Sequence, residues 1–344
     1  MIPRLEIRFS LRQQVLFCFG KRYRPVEGEF LLNHARSGIW VALKAMDLPE
    51  GCPVGVMALN CHTVFNAVAQ AGCTPVFIDV TDALTLDRED LRRKRAGLGA
   101  LIVTHLFGFV SDIDSIREEF PDLPIIEDCA HGMGIPAFSG DVTVFSIGQG
   151  KLPSLGDGGI LYVNNDRYLS EVISKVDALP GYSFAGNVRL FCTMLIKSIL
   201  YRPWVYPWLT HPMKRRRSPG SGREVITPRQ MSGGIRALYQ AAGPTLPTLV
   251  EQRRQKALQA EIGLKEIPGV SGVLDGSING FMSVIRCDDR NYVREVLHQQ
   301  GVEAEMHFAN CLHWAQSFGY TGGQCPNTKI ILDHYLMVPT YRIR

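Results

Sequence analysis

The sequence predicts an α/β protein: a three-layer, mostly parallel sheet followed by a smaller α+β domain. Three observations predict it. Between residues 36 and 165 short apolar runs alternate with helical segments. Those runs are continuous instead of alternating apolar with polar, the pattern of strands buried on both faces of a parallel sheet. After residue 170 the alternation stops and the composition changes. With 344 residues and 46% hydrophobic side chains, the chain is long and apolar enough to bury a sizeable core in one large or two ordinary domains. That composition excludes a disordered or collagen-like chain.

The elements follow in order. Residues 35–46 (ARSGIWVALKAM) read as a Ser-Gly turn opening an amphipathic helix. CPVGVMAL (52–59) reads as a strand and HTVFNAVAQA (62–71) as a helix, with Gly72 as its stop. TPVFIDV (74–80) is the second strand and GALIVTHLFG (99–108) the third. DIDSIREEF (112–120) is a helix with an acidic cap. PIIEDC (124–129), DVTVFSI (141–147) and GILYVNN (159–165) complete the sheet. Beyond residue 170 come an apolar, aromatic-rich stretch (188–213) and a basic, turn-rich segment, KRRRSPGSGR (214–223), expected to be a mobile loop. A helix near 249–264, a strand-like GFMSVIRC (280–287), a helix at 291–300 and GVEAEMHF (301–308) form the smaller domain. The expected boundaries are 1–175, 176–245 and 246–344.

Charge and cysteine content narrow the function classes. With 37 Lys and Arg against 33 Asp and Glu, the net charge is only +4, so no global field marks a nucleic-acid partner. Nine cysteines without CxxC pairing or Cys/His ligand spacing fit reduced thiols and no metal site, and with them a cytoplasmic location. The basic N-terminal segment has no uninterrupted apolar core and does not read as a signal peptide.

Chemistry concentrates at the ends of the predicted strands, where ligands of open α/β sheets bind. Asp128 ends one strand and His131 follows it; Ser146 ends another, five residues before Lys151. GDGG (156–159) allows close backbone approach, and the Ser-Gly helix start at 37–38 is an anion site. A carboxylate, a lysine and a phosphate cradle are what pyridoxal 5'-phosphate (PLP) needs.

Taken together, SG at 37–38, NAVAQAGCTPVFIDV (66–80), THLFG with DID (104–114), PIIEDCAHG (124–132), FSIGQGK (145–151), GDGG (156–159), PRQMS (228–232) and GVEAEMHF (301–308) resemble the DegT-like nucleotide-sugar aminotransferases. These are PLP enzymes of the aspartate aminotransferase fold (fold type I). The resemblance puts Lys151 at the family's Schiff-base lysine and Asp128 at the partner of the pyridine nitrogen. It puts His131 at the group that contacts the cofactor ring or its 3' oxygen. Ser146, Gly38 and Ile39 fall at phosphate ligands, the last two through helix-start amides. Three positions depart from the family pattern. Cys61 falls near the usual ring-stacking aromatic, which leaves His62 as the stacking group; Ile39 replaces a threonine; and Thr227 and Pro228 stand where a neighbouring subunit commonly lends an asparagine, with Arg229 as a replacement. The resemblance implies a homodimer that transfers an amino group, from glutamate, onto a keto group of a nucleotide-linked sugar, in polysaccharide, glycolipid or secondary-metabolite biosynthesis. Two rivals stay open: a non-catalytic or regulatory protein of the same fold, and a PLP-dependent sugar dehydratase, against which Lys151 argues.

Residues 188–217 are the part this resemblance explains least. Their aromatics precede Lys214, Arg215, Arg216 and Arg217, so a peripheral membrane contact stays open beside a core or subunit contact. The stretch cannot span a bilayer, because Lys197, Arg202 and prolines interrupt it.

Overall fold

The computed structural model describes residues 3, 8–135, 138–215 and 220–340. Its strands are β1 (Glu29–Leu32), β2 (Pro53–Met57), β3 (Thr74–Ile78), β4 (Ala100–Thr104), β5 (Ile125–Cys129), β6 (Val142–Ser146), β7 (Gly159–Val163), β8 (Val270–Leu274), β9 (Met282–Cys287) and β10 (Tyr335–Pro339). The helices are α1 (Leu11–Phe19), α2 (Ala35–Ala45), α3 (His62–Gln70), α4 (Arg88–Lys94), α5 (Ile113–Glu119), α6 (Leu169–Asp177) and α7 (Phe184–Leu200). After them come α8 (Thr210–Arg215), α9 (Gly233–Ala242), α10 (Leu246–Leu264), α11 (Arg290–Gln299), α12 (Cys311–Gln316) and α13 (Pro326–His334).

The first seven strands form one sheet in the order β1-β7-β6-β5-β4-β2-β3. Strands β3, β2, β4, β5 and β6 run parallel, and β7 turns back antiparallel between β6 and β1. Strand β4 shows why its sequence carries no polar face. Ala100 and Ile102 pack into the core under α2, α3 and α6, whereas Leu101 and Val103 pack into the core with Leu91 of α4 and Ile113 of α5. Successive side chains of a strand point to opposite faces, and here both faces are covered. This is the three-layer α/β fold expected. The second sheet, β10-β9-β8, is antiparallel and carries α11 against its own small core.

Close approaches fix the start of α2. A Cβ on Gly38 would meet Val144 Cγ1 at 2.9 Å. A Cβ on Gly159 would collide with the backbone of His34 and Ala35. Glycine at 159 therefore lets the first turn of α2 lie directly on β7. A third core joins α1, α7 and α9 to the sheet through Phe9, Phe17, Met194 and Ile235, with Leu31, Phe145 and Ile160 beneath.

Several local expectations change. The strand expected over 99–108 stops at Thr104, and 106–108 form a tight turn in which Phe107 is left-handed, with φ of 54°. Helix α2 opens at Ala35, not at the Ser-Gly pair. Residues 301–308 give only an isolated bridge, Glu305 to Met337. In the basic segment, Lys214 and Arg215 close α8, and residues 216–219 lie outside the described residues. No helix among the described residues is long and apolar enough to cross a membrane.

Candidate active site

A cleft of about 770 Å³ opens at the carboxyl ends of β2, β4, β5 and β6. Asn60 and Cys61 reach it from the turn after β2, Thr104 from the end of β4, Asp128 and His131 from β5 and its following turn, and Ser146 and Lys151 from β6 and its loop. The parallel register gathers them, because each parallel strand ends at the same edge.

Asp128 is only 3% exposed. Its carboxylate accepts from Ala130 N–H (3.0 Å) and from the Thr104 hydroxyl (3.1 Å), and Asn60 in turn donates to that hydroxyl (2.8 Å). Burial raises its pKa above the ordinary carboxylate value, while the Ala130 amide, the Lys151 charge and Thr104 pull it back. Lys151 shows the mirror effect: burial lowers its pKa, and Cys61 and Asp128 oppose the shift. The Lys151 ammonium lies 5.9 Å from the centre of the Phe281 ring.

His131 is pinned between aromatic faces, stacked 4.5 Å from Phe281 and 5.2 Å from Phe107. Phe107 N–H donates to its Nδ1 at 3.4 Å, an approach the left-handed Phe107 backbone permits. The proton therefore sits on Nε2, which is buried without a partner. Burial, with Lys151 and His307 nearby, pushes the imidazole pKa well down, so the ring is neutral. A buried N–H lining a cleft without an acceptor is incomplete until a ligand supplies one. Asn279 locks the loop below by donating to the carbonyls of His131 and Met133 (2.8 and 2.9 Å).

The wall opposite is more polar. Asp157 accepts from Tyr182 (2.7 Å) and pairs with His34 (2.6 Å). Arg189, Thr193 and Lys197 line the cleft from one side of α7 at helical spacing, and Lys197 donates to Gln149 at 2.6 Å. Arg36 and Arg229 complete a cationic rim.

Of the residues singled out from the sequence, Lys151, Asp128, His131, Ser146, Ile39 and Arg229 all line this cleft. Two are placed otherwise. Gly38 lies in the second turn of α2, its N–H directed to the His34 carbonyl (3.4 Å) and its Cα against Val144. The first-turn residues Ala35 and Arg36 reach the cleft in its place. His62 turns away from the cleft: its ring meets Trp314 edge-on at 4.7 Å and its Nε2 pairs with Glu224 at 3.5 Å. Cys61, one residue earlier, occupies the wall instead. Sequence reasoning missed Asn60, Thr104, Asp157, Lys197 and His307. Asp157 lies inside GDGG, Thr104 opens THLFG and His307 sits in GVEAEMHF, so the motifs covered these three without singling them out; Asn60 and Lys197 carried no such signal.

On the other side of β5, His105, Glu127 and Cys129 bring potential metal ligands within 4.8 Å of one another. Both nitrogens of His105 are already used. Ser111 N–H donates to Nδ1 (3.2 Å), and Nε2 faces Glu127 (3.0 Å). Glu127 also takes the amides of Ser139 and Gly140. The cluster is an internal polar knot behind Asp128.

Comparison with known proteins follows this geometry. The chain is 29% identical over 162 residues to a GDP-perosamine synthase of Vibrio cholerae, covering 42% of this chain and 44% of that one. It is 33% identical over 201 residues to a UDP-N-acetyl-3-dehydro-alpha-D-glucosamine 3-aminotransferase of Acidithiobacillus ferrooxidans, covering 46% of this chain and 53% of that one. The chain thus matches about half the length of these curated relatives. The fold aligns with the crystal structure of the aminotransferase TlmJ from Streptoalloteichus hindustanus at a TM-score of 0.74, with 20% identity over 98% of this chain and 93% of that one. Residues 30–179, which carry Asp128, His131, Ser146 and Lys151, match the model of the DegT/DnrJ/EryC1/StrS aminotransferase family.

Proposed function

We propose that this chain is a PLP-dependent aminotransferase that moves an amino group, taken from glutamate, onto a keto group of a nucleotide-linked sugar. One observation carries the reading: Lys151, Asp128 and the unpartnered Nε2–H of His131 converge in one cleft at the strand ends. The relatives whose names specify GDP- and UDP-linked sugars support the substrate class.

The residues fit the cofactor. Asp128 offers a buried carboxylate to a ring nitrogen, His131 a fixed N–H to a ring oxygen, and Ser146 with the first turn of α2 a hydroxyl and free amides to a phosphate. Bound there, PLP supplies an aldehyde that takes an amine covalently and a ring that accepts electrons from the carbon bearing it. The chain supplies the rest. Lys151, its pKa lowered by burial, has more free amine at neutral pH than a surface lysine, so it can both attack a carbonyl and carry a proton to or from a carbon. Asp128 holds the proton on the ring nitrogen, and its bonds from Thr104 and Ala130 fix its orientation. Arg36, Arg189, Lys197 and Arg229 give the rim the charge that a donor carboxylate and a nucleotide diphosphate require. A second copy of the chain covers the exposed apolar face of α7 and α8, making the working unit a homodimer.

Borohydride reduction of the PLP-loaded protein, followed by peptide mapping, tests the assignment. The expected adduct is on Lys151 and vanishes in Lys151→Ala, with turnover reduced by several orders of magnitude. An adduct on another lysine sinks the assignment. Return of the near-visible band on adding keto-sugar nucleotides then identifies the acceptor.

A further inference from the structure

Cys61, the residue standing where His62 was expected, is not an ordinary cysteine. Its Sγ accepts from the Thr63 hydroxyl at 3.2 Å and lies 4.0 Å from His62 Nδ1. The far side of that imidazole faces Glu224 at 3.5 Å, and Trp314 packs on the ring. Cys61 is also the residue that caps α3, so the partial positive charge of the helix start falls on it. Thiol, imidazole and carboxylate thus stand in line, the arrangement that activates a sulfur nucleophile. The sulfur lies on the wall of the 770 Å³ cleft, into which the unpartnered His131 Nε2–H also projects. Five cysteines (Cys73, Cys129, Cys287, Cys311 and Cys325) are buried, and Cys18 and Cys192 are exposed.

We propose that Cys61 is a modification site: a thiolate held by His62 and Glu224 that exchanges with small disulfides, its adduct occupying the cleft. The thiolate attacks one sulfur of the disulfide and a bond from Cys61 to that sulfur forms. The original S–S bond breaks, and the second sulfur leaves as a thiolate that takes a proton from water. Cys61 is oxidised and the released half of the disulfide is reduced; added thiol reverses the exchange. The last clause, occupancy of the cleft, rests on the cofactor reading above; the reactivity does not.

Electrostatics agree with the geometry. Burial pushes the Cys61 thiol up, but the contacts with His62 and Thr63 more than compensate, so it lies below the ordinary thiol value. His62 rises to about 9, with Cys61 and Glu224 holding its proton against burial. Lys151 also faces the sulfur, and Arg36 flanks Glu224 at 3.7 Å. His62 and Lys151 favour the thiolate.

The test exposes the purified protein to hydroxyethyl disulfide across a pH series, with and without added PLP, and maps the adducts by mass spectrometry. At about pH 6 Cys61 is expected to react about tenfold or more faster than Cys18 and Cys192, the advantage shrinking as pH rises through the ordinary thiol range near 8.5. His62→Asn and Glu224→Gln remove the low-pH advantage and leave Cys18 and Cys192 unchanged. PLP slows Cys61 alone. A Cys61 rate at pH 6 no greater than that of Cys18 overturns the proposal from the wild-type protein by itself, whether or not the variants fold. Fast labelling that PLP does not slow overturns the shared cleft. Neither result depends on transaminase turnover.

Discussion

Thr104 and Asp128 stand opposite each other on neighbouring parallel strands, and the Thr104 hydroxyl donates to Asp128 Oδ2 over 3.1 Å. The pairing converts sheet register into chemistry: β4 supplies the hydrogen bond that orients the carboxylate on β5. A hydrogen bond to a charged group contributes about 1.5–3 kcal/mol.

Thr104→Val keeps the shape and removes that donor. Turnover is expected to fall about tenfold or more, and the acid limb of the pH profile to move to higher pH, since Asp128 loses a bond that favours its ionised form. A pH–rate profile indistinguishable from wild type would show that Thr104 has no positioning role.

Asp128→Asn separates stability from function. A carboxyl whose folded pKa is raised binds more protons folded than unfolded, so its ionisation costs stability as pH rises from the unfolded value, about 4, through the folded one. The amide removes that cost. The cofactor-free Asn variant is therefore expected to melt no lower than wild type at pH 7, with its advantage vanishing by about pH 3, while turnover drops by about a hundredfold or more. Melting curves at both pH values, with a turnover assay, check both halves. Near wild-type turnover would remove Asp128 from its assigned role.

His131→Phe preserves a flat ring between Phe107 and Phe281 but deletes the Nε2 donor. Melting temperature should fall modestly, because the buried Phe107 N–H loses its Nδ1 acceptor, while the neutral ring's Nε2 has no partner to lose. PLP affinity should weaken about tenfold, the value of one buried hydrogen bond. Equilibrium titration of cofactor absorbance measures it; unchanged affinity means that the Nε2–H does not reach the ligand.

These residues also show what a sequence can and cannot disclose. Strands β2 to β7 were legible because both faces are buried, leaving unbroken apolar runs. Strand β1 is four residues long, too short for any period, and β10 declares itself only by pairing with β9. The convergence of Asp128, Ser146 and Lys151 on one cleft was legible, because motif spacing survives without a structure. His62 was expected at the cleft, but the chain is still extended at Cys61 and turns helical at His62, which sends the imidazole to Glu224 and leaves Cys61 on the wall. Lys197 gave no signal and Thr104 only its place in THLFG, since what brings each to the cleft is the element across from it.

The apolar face of α7 and α8 supplies the last prediction. Phe184 and Trp208 are 86% and 85% exposed, and Val188, Ile196, Ile199, Trp204, Leu209 and Met213 are also exposed along the same stretch of chain. Exposed large apolar side chains clustered along one segment mark a contact. The opposite side of α7 is already committed, with Met194 in the core and Arg189, Thr193 and Lys197 along the cleft, so whatever covers the exposed face also steadies the substrate rim. A second copy of the chain is the expected cover, in a two-fold arrangement. Light scattering at assay concentration should then give a dimer, and Ile196→Arg with Trp208→Arg should shift it to monomer, because each buried arginine would lack a partner. Cofactor affinity should weaken in the same variant, since α7 loses its outer support. If the double variant stays dimeric while the wild type sediments with anionic vesicles in a salt-sensitive way, the face meets a membrane and the subunit contact lies elsewhere.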